Sequence, residues 1–129
     1  MVQQQKMENI LLVDDDHVQV RLIESILAQQ GYKIIVAKDA ADGLQKAMDG
    51  SPDLIILDVM MPIINGYNFC KLLKEQEHRK HIPIILVTAR DEEEDIEIGM
   101  QMGAEAYLTK PINTEKLLKT ISVIKSMNG

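Results

Sequence analysis

The chain predicts an α/β fold, a parallel sheet covered by helices on both faces, and three observations point to it. Five short runs rich in Ile, Leu and Val alternate with five longer amphipathic stretches along the 129 residues. The middle runs are apolar at every position, as strands are when both faces are sealed. Acidic, hydroxyl-bearing and basic residues stand directly after several of the runs, at the strand ends where such sheets build their sites.

The predicted strands are Asn9 to Val13, Lys33 to Ala37, Leu54 to Leu57, Ile84 to Thr88 and Ala106 to Leu108. In the first helix pattern Val18, Leu22, Ile23, Ile26 and Leu27 share one face, and Gly31 stops it. Asp39 caps a second helix running to about Met48, with Ser51-Pro52 ending the connection. A third starts near Asn65-Gly66 and carries Phe69, Cys70, Leu72 and Leu73. The fourth spans about Asp91 to Met102. Gly99 inside it costs ~1 kcal/mol relative to alanine. Ile96, Ile98, Met100 and Met102 alternate there, so some face outward, Ile98 and Met102 foremost. The fifth runs from Thr114, read as its cap, through Leu117, Leu118, Ile121 and Ile124. No linker, low-complexity tract or repeat divides the chain. It reads as one domain over 1–129, with a core over about 8–126 and frayed ends.

Apolar residues make up 46%, charged residues 26%, and the net charge is −6. An acidic chain lacks the basic face that direct nucleic-acid binding needs. Lys71, Lys74, Arg79 and Lys80 read as a solvated helix face and loop. The single cysteine, Cys70, reads as a buried thiol in a reducing compartment. No run approaches the ~20 apolar residues of a membrane span, and the N-terminus has no apolar signal core. These readings place the chain in the cytoplasm. His17 reads as exposed, and the His78-x-x-His81 spacing at a helix end is not read as a zinc site.

The stretch LLVDDD sets Asp14, Asp15 and Asp16 directly after an apolar strand. Three such carboxylates repel and raise one another's pKa values. Asp58 follows LIIL, Thr88 ends ILVT and Lys110 follows AYLT. With the first strand between its neighbours, these side chains converge on one rim. A hard divalent cation relieves the repulsion, and Mg²⁺ uses one or two carboxylates, waters and a phosphate. A carboxylate, a metal, a lysine and a hydroxyl suit a site that receives a phosphoryl group. Asp16 is read instead as the start of the first helix.

The motifs ILLVDDD, LIILDVMMPIINGY, ILVTARDEEED and GAEAYLTKPI, in that order, resemble a two-component response-regulator receiver domain of the chemotaxis-receiver superfamily. The resemblance runs from about Glu8 to Ser126. It implies a flavodoxin-like, doubly wound sheet in the order 2-1-3-4-5 with five helices. It implies that Asp58 accepts a phosphoryl group from a sensor histidine kinase or histidine phosphotransfer protein. Asp15, Asp58 and the Met60 carbonyl would ligate Mg²⁺, with Asp14 acting through water. Thr88 and Lys110 would hold the phosphoryl oxygens, and Tyr107 would be the aromatic switch. Lys110-Pro111 matches a bond that is cis in the family. Output would pass to a downstream protein or a homodimer through the fourth helix, fifth strand and fifth helix, with no membrane contact and no direct nucleic-acid contact. The domain would catalyse only its own phosphorylation and dephosphorylation. Glu105-Ala106 stands where Asp-Asp is frequent, which bears on any dimer that depends on charge there. Two other readings stay open: a Mg²⁺-dependent phosphohydrolase acting on a separate substrate, and a non-phosphorylated binding module. A stand-alone receiver and a piece of a longer regulator are equally compatible with the chain.

Overall fold

The computed structural model describes residues 8–59, 66–89 and 93–128. Its elements run β1 (Asn9–Val13), α1 (His17–Gln29), β2 (Lys33–Ala37), α2 (Ala40–Gly50), β3 (Leu54–Asp58), α3 (Gly66–Lys74), β4 (Ile84–Thr88), α4 (Glu93–Gln101), β5 (Ala106–Thr109) and α5 (Thr114–Asn128). All strand pairs are parallel, in the order β2-β1-β3-β4-β5. The predicted fold class and order are the ones observed. The first seven residues, Asn65 and the Asp91 start of the fourth helix lie outside the described residues.

Successive strand side chains point to opposite faces. Leu11, Val13, Ile55, Leu57, Ile84 and Leu86 therefore join a layer under α2 and α3, with Phe69 and Leu73. Ile10, Leu12, Leu54, Ile56, Ile85 and Val87 join the opposite layer, under α1 and α5. Every residue of β3 and β4 is buried, and burying each Ile or Leu contributes roughly 1.5–3 kcal/mol. Gly43 allows α2 to lie close on β1, since a Cβ there would stand 2.8 Å from Val13 Cγ2.

Asp16 caps α1, its Oδ1 accepting from Val18 N at 3.0 Å and Gln19 N at 3.3 Å. Asp39 caps α2 by accepting from Asp42 N at 2.8 Å. Four expectations need correction. The buried face of α1 is Gln19, Ile23, Ile26 and Leu27, while Val18 and Leu22 are exposed. Leu72 is likewise exposed on α3. The cap of α5 is Asn113, whose Oδ1 accepts from Lys116 N at 3.0 Å, and Thr114 is already helical. Among the described side chains of α4 the exposed apolar pair is Ile98 and Met100, while Met102, just past the helix, packs against the core.

The basic stretch is also only partly solvated. Lys74 Nζ donates to the carbonyls of Lys80 and Ile82 and to Glu105 Oε1 at 2.8–3.0 Å. Arg79 donates to the Ala47 and Met48 carbonyls near the end of α2. Lys71 and Lys80 do face solvent. Cys70 is buried as expected, and burial pushes its thiol up to about 12, which leaves it protonated and inert. No helix among the described residues is long and apolar enough to cross a membrane.

Candidate functional site

Strand order and register assemble the site. Val13 pairs with Leu57, so Asp14 and Asp58 follow side by side where β1 and β3 end. Asp58 pairs with Val87, which sets Thr88 one residue further along β4. Thr88 pairs with Thr109, and Lys110 N then donates to the Thr88 carbonyl at 2.7 Å. The chain winds from β1 outward to β2 and then back to β3, so the crevice opens where the order reverses.

Asp14, Asp15 and Asp58 each bring a carboxylate oxygen to within 4.8 Å of the others. Asp14 and Asp58 are buried and Asp15 is exposed. Lys110 Nζ lies 3.4 Å from Asp58 Oδ2, an ion pair at the inner side of the cluster. Asp14 Oδ1 accepts from Asp16 N at 2.9 Å. Burial raises the Asp14 pKa to about 6, and the charge of Asp58 adds to the rise. The Asp16 amide and Lys110 oppose it. Each cause follows from position, since a carboxylate taken from water beside another favours its neutral form.

The carboxylate cluster, Lys110 and Thr88 thus stand along one rim. The Lys110-Pro111 bond is cis. Asp16 is spent on α1, as expected. Met60 lies outside the described residues. Tyr107 is not in the cluster; it is 39% exposed on β5. It lines a cavity of about 370 Å³ with Pro111, Asn113, Lys116 and Lys119. Sequence reading did not single out Lys116 or Lys119, since lysines on the polar face of a helix carry no distinguishing pattern. The donor set, oxygens only and mostly charged, suits a hard divalent cation.

The response regulator receiver domain model matches residues 10–122. The chain is 36% identical over 118 residues to Protein PilH of Pseudomonas aeruginosa, covering 92% of the chain and 98% of PilH. It is 39% identical over 117 residues to the alkaline phosphatase synthesis transcriptional regulatory protein PhoP of Bacillus subtilis. That match covers 91% of the chain and 48% of PhoP, so the chain spans about half of that relative's length. Among solved structures it is similar to the receiver domain of the sensor histidine kinase PA1611 of Pseudomonas aeruginosa, whose active-site cleft coordinates a magnesium ion. The TM-score is 0.86 at 29% identity, over 94% of the chain and 99% of that one. Strand order, acidic rim and near full-length match agree: the chain belongs to the response regulator receiver domain family of two-component signalling.

Proposed function

We propose that this chain, a single receiver unit working in the cytoplasm, is a switch whose phosphoacceptor is Asp58. A Asp58 carboxylate oxygen attacks the phosphorus of a phosphohistidine on a kinase or phosphotransfer protein. The new O–P bond makes an acyl phosphate; the N–P bond breaks, and its electron pair stays on the imidazole. The observation that carries this reading is the buried Asp58, with the Asp14 and Asp15 oxygens within 4.8 Å and the Lys110 ammonium 3.4 Å away.

Asp14, Asp15 and Asp58 would hold Mg²⁺, with a carbonyl from Met60 as the expected further ligand. When bound, the ion offsets carboxylate repulsion and the charge on the transferring phosphoryl oxygens. Lys110 balances a further oxygen with a charge-assisted hydrogen bond, and the Thr88 hydroxyl donates to another. The movement of Thr88 toward the new acceptor opens room for Tyr107 to turn inward. Output then passes through α4, β5 and α5 to a downstream protein or a second copy. The acidic rim and the magnesium-bound PA1611 receiver support the choice of ion.

The test is incubation with Mg²⁺ and acetyl phosphate, read by intact mass. One phosphoryl group should be gained and then lost to hydroxylamine, as an acyl phosphate is. Asp58→Ala should gain none; a variant that still did would place the phosphate elsewhere. A phosphohydrolase is not favoured by the family assignment, and turnover of a small phosphoester would be its signature.

A further inference from the structure

Gln19 interrupts an apolar stripe. It is 8% exposed and stands one turn before Ile23, on the α1 face that packs into the layer shared with β5 and α5. Its Nε2 is the one buried side-chain nitrogen or oxygen among the described residues that meets no hydrogen-bond partner. A buried donor without an acceptor carries its full desolvation penalty, which an apolar side chain of the same length would avoid.

The position of Gln19 suggests where an acceptor stands. It lies in the first turn of α1, three residues after Asp16, at the rim end of its layer. Ile112 is buried in that same layer, just beyond Lys110 and Pro111. No described residue donates to the carbonyls of Lys110, Pro111 or Ile112. Lys110 is held to Asp58 at 3.4 Å in the unphosphorylated chain. A phosphoryl group on Asp58 would offer the ammonium new oxygens, and Lys110 carries that ammonium at the start of the connection between β5 and α5.

We propose that Gln19 is a positioning residue for the phosphorylated form. Its carboxamide N–H, unmet in the resting chain, donates to a main-chain carbonyl of the 110–112 connection once Lys110 has shifted onto the phosphoryl group. The unmet donor raises the free energy of the resting form alone, so it biases the equilibrium toward the phosphorylated one. This inference rests on Asp58 as phosphoacceptor.

The test measures melting temperature, and beryllofluoride affinity in Mg²⁺, for the wild type, Gln19→Met and Gln19→Leu. Both variants should melt higher. Both should bind beryllofluoride about tenfold more weakly, a difference of about 1.4 kcal/mol, with Mg²⁺ affinity unchanged when no beryllofluoride is present. A higher melting temperature with unaltered beryllofluoride affinity would make the amide a packing flaw and overturn the proposal. A lower melting temperature in both variants would mean the donor is already satisfied at rest, and would overturn it too. A wild type that ignores beryllofluoride would instead sink the Asp58 reading and take this inference with it.

Discussion

The two ends of the sheet treat charge in opposite ways. At the end where the strands finish, Asp14, Asp15 and Asp58 crowd within 4.8 Å, with the Lys110 ammonium 3.4 Å from one of them. At the end where the strands begin, charges are matched group by group. Glu105 Oε2 accepts from Ile84 N at 2.6 Å, and Oε1 accepts from Lys74, which also holds two carbonyls. Asp53 Oδ2 accepts from Glu8 N and Asn9 N, both at 2.9 Å. Arg79 holds the Ala47 and Met48 carbonyls near the end of α2. The matched end joins α2, α3 and the β-strand starts; the crowded end keeps like charges together at a cost in stability. A site that takes a cation and a phosphoryl group, as proposed for this rim, would retain that repulsion, while an end with no such task removes it.

The matched end should be the more costly one to break. Lys74→Met strips a mostly buried ammonium from two carbonyls and from Glu105. The loss should be about 2–3 kcal/mol, because the former partners stay buried without it. Melting should fall by roughly 10 °C for a domain of this size. Gain of phosphate from acetyl phosphate at low temperature should persist. An unshifted melting curve would show that the network is ornamental.

At the crowded end the sign should reverse. Burial raises the Asp14 carboxyl to about 6 in the folded chain, from an ordinary value of 3.8. Between those values the folded form holds more proton than the unfolded form. Stability from this group is therefore greatest below about pH 4, and it falls as pH rises to about 6. The full shift corresponds to about 3 kcal/mol, and relaxation around the carboxylate should leave about 1–2 kcal/mol. Asp14→Asn should thus stabilise the metal-free chain at pH 7 by that amount and differ little from wild type near pH 4. Asp42, lowered by its hydrogen bond to Lys46, works the other way, so the difference between the two proteins is the useful measurement. An Asp14→Asn protein less stable than wild type at pH 7 would count against the burial-driven shift.

The two ends were also unequally legible. The crowded end could be read from sequence because its carboxylates, hydroxyl and lysine follow apolar runs directly, and a parallel sheet brings strand ends together. The matched end could not. The partners of Lys74 and Arg79 are mostly carbonyls, which every residue has, so in sequence the basic stretch reads as solvated. The face of α1 is hidden in the sequence for a related reason. Val18 and Leu22 sit one residue ahead of the true stripe of Gln19, Ile23, Ile26 and Leu27, and a buried glutamine disguised its first position. Choosing Thr114 over Asn113 as cap was a one-residue ambiguity between two good capping types. On α4, alternating apolar residues around Gly99 leave the helical face undecided, so the sequence points to Met102 where the structure exposes Met100.

The smallest expected effect is the most discriminating, because it couples the two properties of the crowded end. If Asp14, Asp15 and Asp58 hold Mg²⁺, the ion stabilises the folded chain by RT ln(1 + [L]/Kd), about 1 kcal/mol at a fivefold excess over Kd. Oxygen ligands must be ionised to bind it, so the gain should grow as pH rises to and beyond about 6, where Asp14 loses its proton. The ion thereby offsets the repulsion that ionising Asp14 introduces, and the pH slope of wild-type stability should flatten in Mg²⁺. Asp15→Asn removes an exposed ligand without touching the core, so it should reduce the gain, while in the absence of metal it relieves repulsion and leaves the chain slightly more stable. Lys74→Met, at the other end of the sheet, should lower the starting stability yet leave the Mg²⁺ increment unchanged, since the two ends share no partner. Thermal melts of the three proteins from pH 5 to 8, at matched ionic strength, separate these effects. A gain that is equal in wild type and Asp15→Asn, or flat across that range, would mean that the ion acts by screening alone and that the carboxylates at the rim are not its ligands.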